Sequence, residues 1–269
     1  MAGQRGSRLL SVGISLVSRA LLVRDAARGV VRRMRQPEPR EKFFFASGGR
    51  RLAAVWVAGP EGTPVILLCH GIGETVGHWG AVQAYLRERG VGSLVFNYSG
   101  YGKSTGRICT ENCDADFVSA YAELRRRVGT DARVFVIGFS LGSGIAASGV
   151  GGLVPPLDGL FLCQAFSSLR EAMQSAWVPA RIARAFPNIW DTVEVVRTLH
   201  LPICVVHSDG DGLFPVAMAQ QIVDACGERG ELVIVPGFSH NEPYLKPTDA
   251  YWGPIVERVL RGFEKKRLT

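Results

Sequence analysis

The sequence predicts an α/β fold: a mostly parallel, eight-stranded sheet with helices on both faces and a small helical lid. Three observations carry that prediction. Short apolar runs alternate with longer segments of helical periodicity through most of the chain. The runs at 65–69, 134–137, 159–163 and 202–207 are continuous, as expected of strands buried on both faces. A chain of 269 residues with 47% hydrophobic and 20% charged side chains suits one large globular body.

Residues 1–36 read as a basic helical arm. They hold eight arginines and one acid, Asp25, and so carry the whole formal charge of +7; the body, 37–269, is neutral. A neutral body offers no basic groove, and no nucleic-acid partner is expected. Leu9 to Val23 is apolar but interrupted by Arg19, too short a run for a conventional transmembrane helix. Beyond it, Arg24, Arg28, Arg32 and Arg35 share one helical face, and Val23, Ala27, Val30, Val31 and Met34 another. Three readings stay open: a helix on an anionic membrane surface, a helix packed on the body or on a second subunit, and a weak signal peptide. Gly13, the serines of the run and Arg19 argue against the last. Pro37-Glu38-Pro39 ends the helix and links it to the body.

The body begins with strands at 42–46 and 51–57, joined through Ser47-Gly48-Gly49 as a hairpin. A buried strand follows at 65–69, a helix at 79–89 and a strand at 93–97. The next helix, 114–128, places Phe117, Val118, Tyr121, Leu124 and Val128 at core spacing. Strand 134–137 leads into a small-residue helix at 141–150. Strands at 159–163, 202–207 and 232–235 and helices at 216–226 and 248–266 complete the alternation. The segment 166–199 is too short for a large cap and reads as the lid. Its Leu169, Met173, Trp177, Val178, Phe186, Ile189 and Trp190 would line an apolar pocket. Cys69, Cys163 and Cys204 fall in buried strands, and Cys109 and Cys113 have no second pair to complete a zinc site. No metal or cofactor is expected, and a reducing, cytoplasmic setting with peripheral membrane association is the expected location.

Gly138-Phe139-Ser140-Leu141-Gly142 lies between a strand and a helix, the context in which G-x-S-x-G forms a nucleophile elbow. A serine hydroxyl needs a base, and the base an orienting carboxylate. With that elbow the acid and then the histidine follow, each on a loop after a later strand. His240 follows the strand at 232–235, and Asp211 follows the strand ending at His207, with Asp209 as rival. The oxyanion donors are then the N–H groups of Leu141, next to the nucleophile, and of Ile72 in His70-Gly71-Ile72-Gly73, with Gly73 as second choice. His70 and His207 read as structural, His78 and His200 as surface or capping residues, Glu74 and Glu242 as solvated loop charges, and Arg125-Arg126-Arg127 as a solvated helix end. Phe139, Trp177 and Trp190 are the expected substrate contacts. Gly102-Lys103-Ser104 hints at a phosphate loop, but Asn97 stands where that motif needs glycine, and Gly71, Gly73 and Gly77 lack dinucleotide spacing.

Across about residues 50–265 the chain resembles the α/β-hydrolase serine hydrolases. The branch it looks most like contains the eukaryotic α/β-hydrolase-domain protein depalmitoylases and their prokaryotic relatives. The matching segments are His70-Gly71, Asn97 to Ser104, Gly138 to Gly142, Ala185 to Ile189, Asp211 and His240. The resemblance implies the α/β-hydrolase fold and a cofactor-free esterase or thioesterase acting on a small-molecule or lipid-like acyl ester through Ser140, His240 and Asp211. The depalmitoylases carry an N-terminal cysteine cluster, whereas the first cysteine here is Cys69; Leu245 stands where acyltransferase-like members have H-x₄-D. Peptidase or acyl-transfer chemistry and a non-catalytic interaction role are the alternatives. Deleting residues 1–36 is expected to weaken binding to anionic vesicles without abolishing hydrolysis of soluble esters.

Overall fold

The computed structural model describes residues 2–27, 31 and 36–263. Its centre is one eight-stranded sheet of order β1-β2-β4-β3-β5-β6-β7-β8. The strands are β1 (Glu41–Ser47), β2 (Arg50–Val57), β3 (Val65–Cys69), β4 (Gly92–Phe96), β5 (Val134–Phe139), β6 (Gly159–Cys163), β7 (Ile203–Ser208) and β8 (Gly230–Val235). β1 and β2 form the hairpin, with Gly48 and Gly49 both at positive φ, and β2 pairs antiparallel with β4. All other pairings are parallel.

The continuous apolar runs have a simple cause. Side chains alternate across a strand, so a strand covered on both faces needs apolar residues at every position. Leu67, Cys69, Val136, Leu160, Leu162 and Val205 face one core, and Ile66, Leu68, Ile137, Phe161, Cys163 and Val206 the other. The first core is covered by α3 (Thr110–Val128), α4 (Leu141–Val150), α7 (Thr192–Thr198) and α8 (Val216–Cys226); the second by α2 (Gly80–Glu88), the one-turn α9 (Glu242–Leu245) and α10 (Asp249–Arg261).

Several elements differ from expectation. α3 begins at Thr110 rather than 114, and Val118 is exposed while Phe117, Tyr121 and Leu124 are buried. Arg125 is not solvated: its guanidinium donates to the Ala132 and Pro156 carbonyls and to Tyr121 Oη, fastening the helix end to the following loops. α10 ends at Arg261, where Gly262 at φ 91° caps it; residues 264–269 lie outside the described residues. The lid holds three short helices, α5 (Leu169–Ser175), α6 (Ala180–Ala183) and α7, the first and last capped by Ser168 and Asp191 side chains accepting backbone N–H groups.

The arm forms α1 (Ala2–Ala27), and it packs on the body. Leu10 and Ile14 join the first core, Leu22 lies against it, and Ser18 is fully buried. Val31 and Gln36 continue the contact, the Gln36 amide donating to the Gly77 carbonyl. The expected basic face through Arg28, Arg32 and Arg35 lies outside the described residues. Among the described residues, no helix is long and apolar enough to cross a membrane.

Candidate active site

The parallel strands end at one edge, and their loops bring the candidate residues together. Ser140 sits between β5 and α4 at φ 52°, ψ −119°, a strained conformation for a side-chain-bearing residue. The turn needs bare glycines on either side. A Cβ on Gly138 would lie 2.5 Å from the Gly142 carbonyl oxygen, and one on Gly142 would lie 2.2 Å from that of Cys69. The turn raises the serine at the head of α4, where helix amides are unpaired.

His240, on the loop after β8, meets Ser140 directly: Nε2 is 2.9 Å from Oγ. Its other nitrogen, Nδ1, lies 2.8 Å from Asp211 Oδ2. With His240 neutral, Nδ1–H donates to Asp211 and Nε2 accepts the Ser140 hydroxyl. The second Asp211 oxygen accepts from the Leu213 and Phe214 amides. Burial pushes the Asp211 carboxyl up, but the His240 bond and charge and these two amides outweigh it and hold it below the usual carboxylate value. Asp209, the rival acid, instead accepts the Gly237 N–H at 2.7 Å and so holds the loop that carries His240. Phe139 and Phe214 flank the imidazole, with ring centroids at 5.6 and 5.1 Å.

Leu141 is the first residue of α4, so its N–H has no carbonyl four residues back and is open to an incoming oxygen. The facing loop presses on the nucleophile: a Cβ on Gly71 would lie 3.2 Å from Ser140 Cβ. Glu74, expected in solvent, is instead buried and accepts the Gly71 N–H at 2.9 Å and the Trp79 indole N–H at 2.8 Å. The Gly71 amide is thereby engaged, and the Ile72 and Gly73 amides follow it on the same loop. His70, driven neutral by burial to a pKa of about 4, donates Nδ1–H to the Gly71 carbonyl and braces the same loop. His207 donates Nε2–H to the Phe214 carbonyl and braces the acid loop, and His78, buried, has the capping role expected as one alternative, accepting the Thr75 N–H.

The expected substrate contacts need revision. Trp177 follows α5 at φ 66° and is 94% exposed, so it lines no pocket wall. Trp190 is buried; its indole N–H donates to Asp114 at 2.8 Å, tying the lid to α3. Phe139 is fully buried between His240, Trp79 and Tyr244, where it supports the imidazole. Phe214, packed edge-on against the imidazole, meets the Phe166 ring edge to face at 5.7 Å, and both are buried. Phe214 could have been singled out from its place three residues after Asp211; Glu74 carried no local signal.

Residues 64–178 match the profile of the α/β hydrolase fold family. The chain has the α/β-hydrolase fold. It is 29% identical to an uncharacterized protein of Mycobacterium tuberculosis over 214 residues, 78% of this chain and 75% of that protein. It resembles the ABHD branch: lysophosphatidylserine lipase ABHD12 of zebrafish (Danio rerio) is 27% identical over 223 residues, 74% of this chain and 58% of that protein. The esterase Pf2001 of Pyrococcus furiosus shares the fold with a TM-score of 0.68 at 17% identity, over 85% of this chain and 98% of that one.

Proposed function

We propose that this protein is a serine esterase or thioesterase of the α/β-hydrolase superfamily that cleaves an apolar, lipid-like acyl substrate through an acyl-enzyme intermediate. The continuous Asp211–His240–Ser140 hydrogen-bond chain carries the reading. Ser140 Oγ attacks the acyl carbonyl as His240 Nε2 takes its proton. Asp211 holds the ring and stabilises the imidazolium, and the Leu141 and Ile72 amides receive the oxyanion. His240 returns the proton to the departing alcohol or thiol. Water, activated by the same imidazole, then releases the acid from Ser140. The partly buried Met173, Phe186 and Ile189 of the lid favour an apolar acyl group, as does the lipase among the relatives. A panel of nitrophenyl esters and thioesters of rising acyl length, run beside aminoacyl anilides, tests this. Esters should turn over at least about a hundredfold faster than anilides; the reverse order would assign a peptidase.

The outward side of α1 favours delivery of the substrate at an anionic lipid surface. Val12, Leu16, Val17 and Val23 are 50–69% exposed there, and Arg19 and Arg24 are exposed on the same helix. Replacing Leu16 and Val23 by glutamate should weaken binding to vesicles containing phosphatidylserine while leaving hydrolysis of a soluble ester intact. Unchanged vesicle binding would remove the membrane from the account.

A further inference from the structure

The triad's own hydrogen bonds are not the only ones that join its three loops. At the end of β6 the chain turns out of the sheet at Gln164, a fully buried residue with φ 46°. Its N–H still donates to the Val206 carbonyl of β7 at 3.0 Å. In a parallel ladder the next bond would run from the Ser208 N–H to the Gln164 main-chain carbonyl. The Gln164 side chain takes that place: its Oε1 accepts the Ser208 N–H at 2.8 Å. A side chain thus carries the ladder one step past the strand, up to the residue that opens the acid loop.

Ser208, itself fully buried, passes the connection on. Its Oγ accepts the Phe238 N–H at 2.8 Å and the Gly210 N–H at 3.2 Å. Phe238 stands two residues before His240, and Gly210 one before Asp211. The two loops lie backbone on backbone: a Cβ on Gly210 would come within 2.9 Å of the Gly237 carbonyl carbon and of the Phe238 carbonyl oxygen. At the other end, the Cys163 carbonyl, next to Gln164 in the chain, accepts the Ser140 N–H at 3.0 Å. One run of contacts therefore ties the nucleophile, acid and base loops together, separately from the bonds between Asp211, His240 and Ser140. Gln164 is a costly residue for filling space alone. A residue with a side chain is strained at that φ, and its buried Nε2 has no hydrogen-bond partner among the described residues.

We propose that Gln164 and Ser208 are positioning residues, an internal tie that fixes the spacing of the three triad loops before substrate arrives. The proposal rests on the reading of Ser140, Asp211 and His240 as one nucleophilic centre, and the test separates the two. Asp209 makes an outer link between the same loops, at the surface, through the Gly237 N–H. Without the inner tie the loops stay near each other but lose their fixed spacing. Both side chains are fully buried, so their loss acts on the alignment of the imidazole with Ser140 and not on substrate contacts.

The full-length protein is compared with Ser208→Ala, Gln164→Met and the double variant. Ser208→Ala removes only Oγ. Gln164→Met keeps the length of the side chain and removes the acceptor; Ser208→Ala decides alone if Gln164→Met does not fold. Two readouts are taken, hydrogen exchange over residues 207–214 and 236–241, and steady-state kinetics on a short, soluble nitrophenyl ester well below each variant's Tm. Exchange in both segments should quicken in each variant. The kcat should fall about 10- to 100-fold with KM changed less than about twofold, as a misplacement on the order of 1 Å implies. The double variant should lose little more than the worse single one, because the two act in series. Folded variants with unchanged exchange would overturn the proposal. So would quickened exchange with unchanged kcat, a loss carried by KM, or single losses that multiply in the double variant. A wild type that hydrolyses no ester, with exchange quickened in the variants, would uphold the tie and refute the esterase reading.

Discussion

Replacing Ser140 by alanine is expected to lower kcat for any ester the protein hydrolyses by about 10⁴–10⁶, with the fold unchanged. The effect is that large because the reaction has one nucleophile, and its activation depends on a single contact, the 2.9 Å approach of His240 Nε2 to Oγ. Alanine removes the attacking atom and leaves the Leu141 and Ile72 amides and the lid in place, so substrate should still bind. Ser140 is already 4% exposed and its backbone is held by the Cys163 carbonyl, so the smaller side chain should not disturb the turn. Circular dichroism and a thermal melt would check that the loss is chemical. A residual rate within about tenfold of wild type would mean that another group attacks.

The second large effect separates the two acids after β7. Asp211→Asn should cut kcat by about 10⁴, because an amide facing Nδ1 favours the wrong tautomer of His240 and cannot stabilise the imidazolium. Asp209→Asn should cost far less, since Asp209 contacts only the backbone of the histidine loop among the bonds described for it. A pH dependence follows from the same carboxylate. Asp211 is held below the ordinary carboxylate value in the folded protein by His240 and two amides, against the opposing effect of burial. A folded-state value below the unfolded one, about 3.9, adds stability that is present above the unfolded value and lost as pH falls through the folded one. The difference in Tm between wild type and Asp211→Asn should therefore be widest near neutrality and close in acid. A difference that grows on acidification would contradict this sign.

Much of this arrangement is legible along the chain, for local reasons. The G-x-S-x-G turn is built from neighbouring residues whose steric demands are written in its two glycines. The strands buried on both faces declare themselves by unbroken apolar runs, and the loops that follow them must share one edge, which is where positions 211 and 240 fall. What sequence does not display depends on contacts between distant segments. Glu74 reads as a solvated loop charge because nothing nearby shows that the Trp79 indole and the Gly71 amide will enclose it. Arg125 reads as part of a solvated triplet, since its carbonyl partners lie beyond the helix and across the following strand. Trp177 and Trp190 look equivalent in an apolar lid, yet one projects into solvent and the other is fixed by Asp114.

The arm shows the same division most clearly. Its charge and its apolar run are plain in sequence, but which face meets the body is decided by Tyr101, Gly73 and Gly77, far away in the chain. Leu10, Ile14, Ser18, Leu21 and Leu22 turn inward, leaving Val12, Leu16 and Val23 outside. Deleting residues 1–36 would uncover the core side chains that Leu10, Ile14 and Leu22 pack against. Single substitutions on the exposed face of α1 are therefore the cleaner way to test membrane contact.

The central claim is that three side chains from three loops form one nucleophilic centre at the carboxyl edge of the sheet. Reaction of the full-length protein with a fluorophosphonate, followed by mass mapping of its peptides, tests it most directly. A single adduct on Ser140, lost in His240→Ala, is the expected result. An adduct on a different serine, or no adduct on a folded protein, would contradict the account.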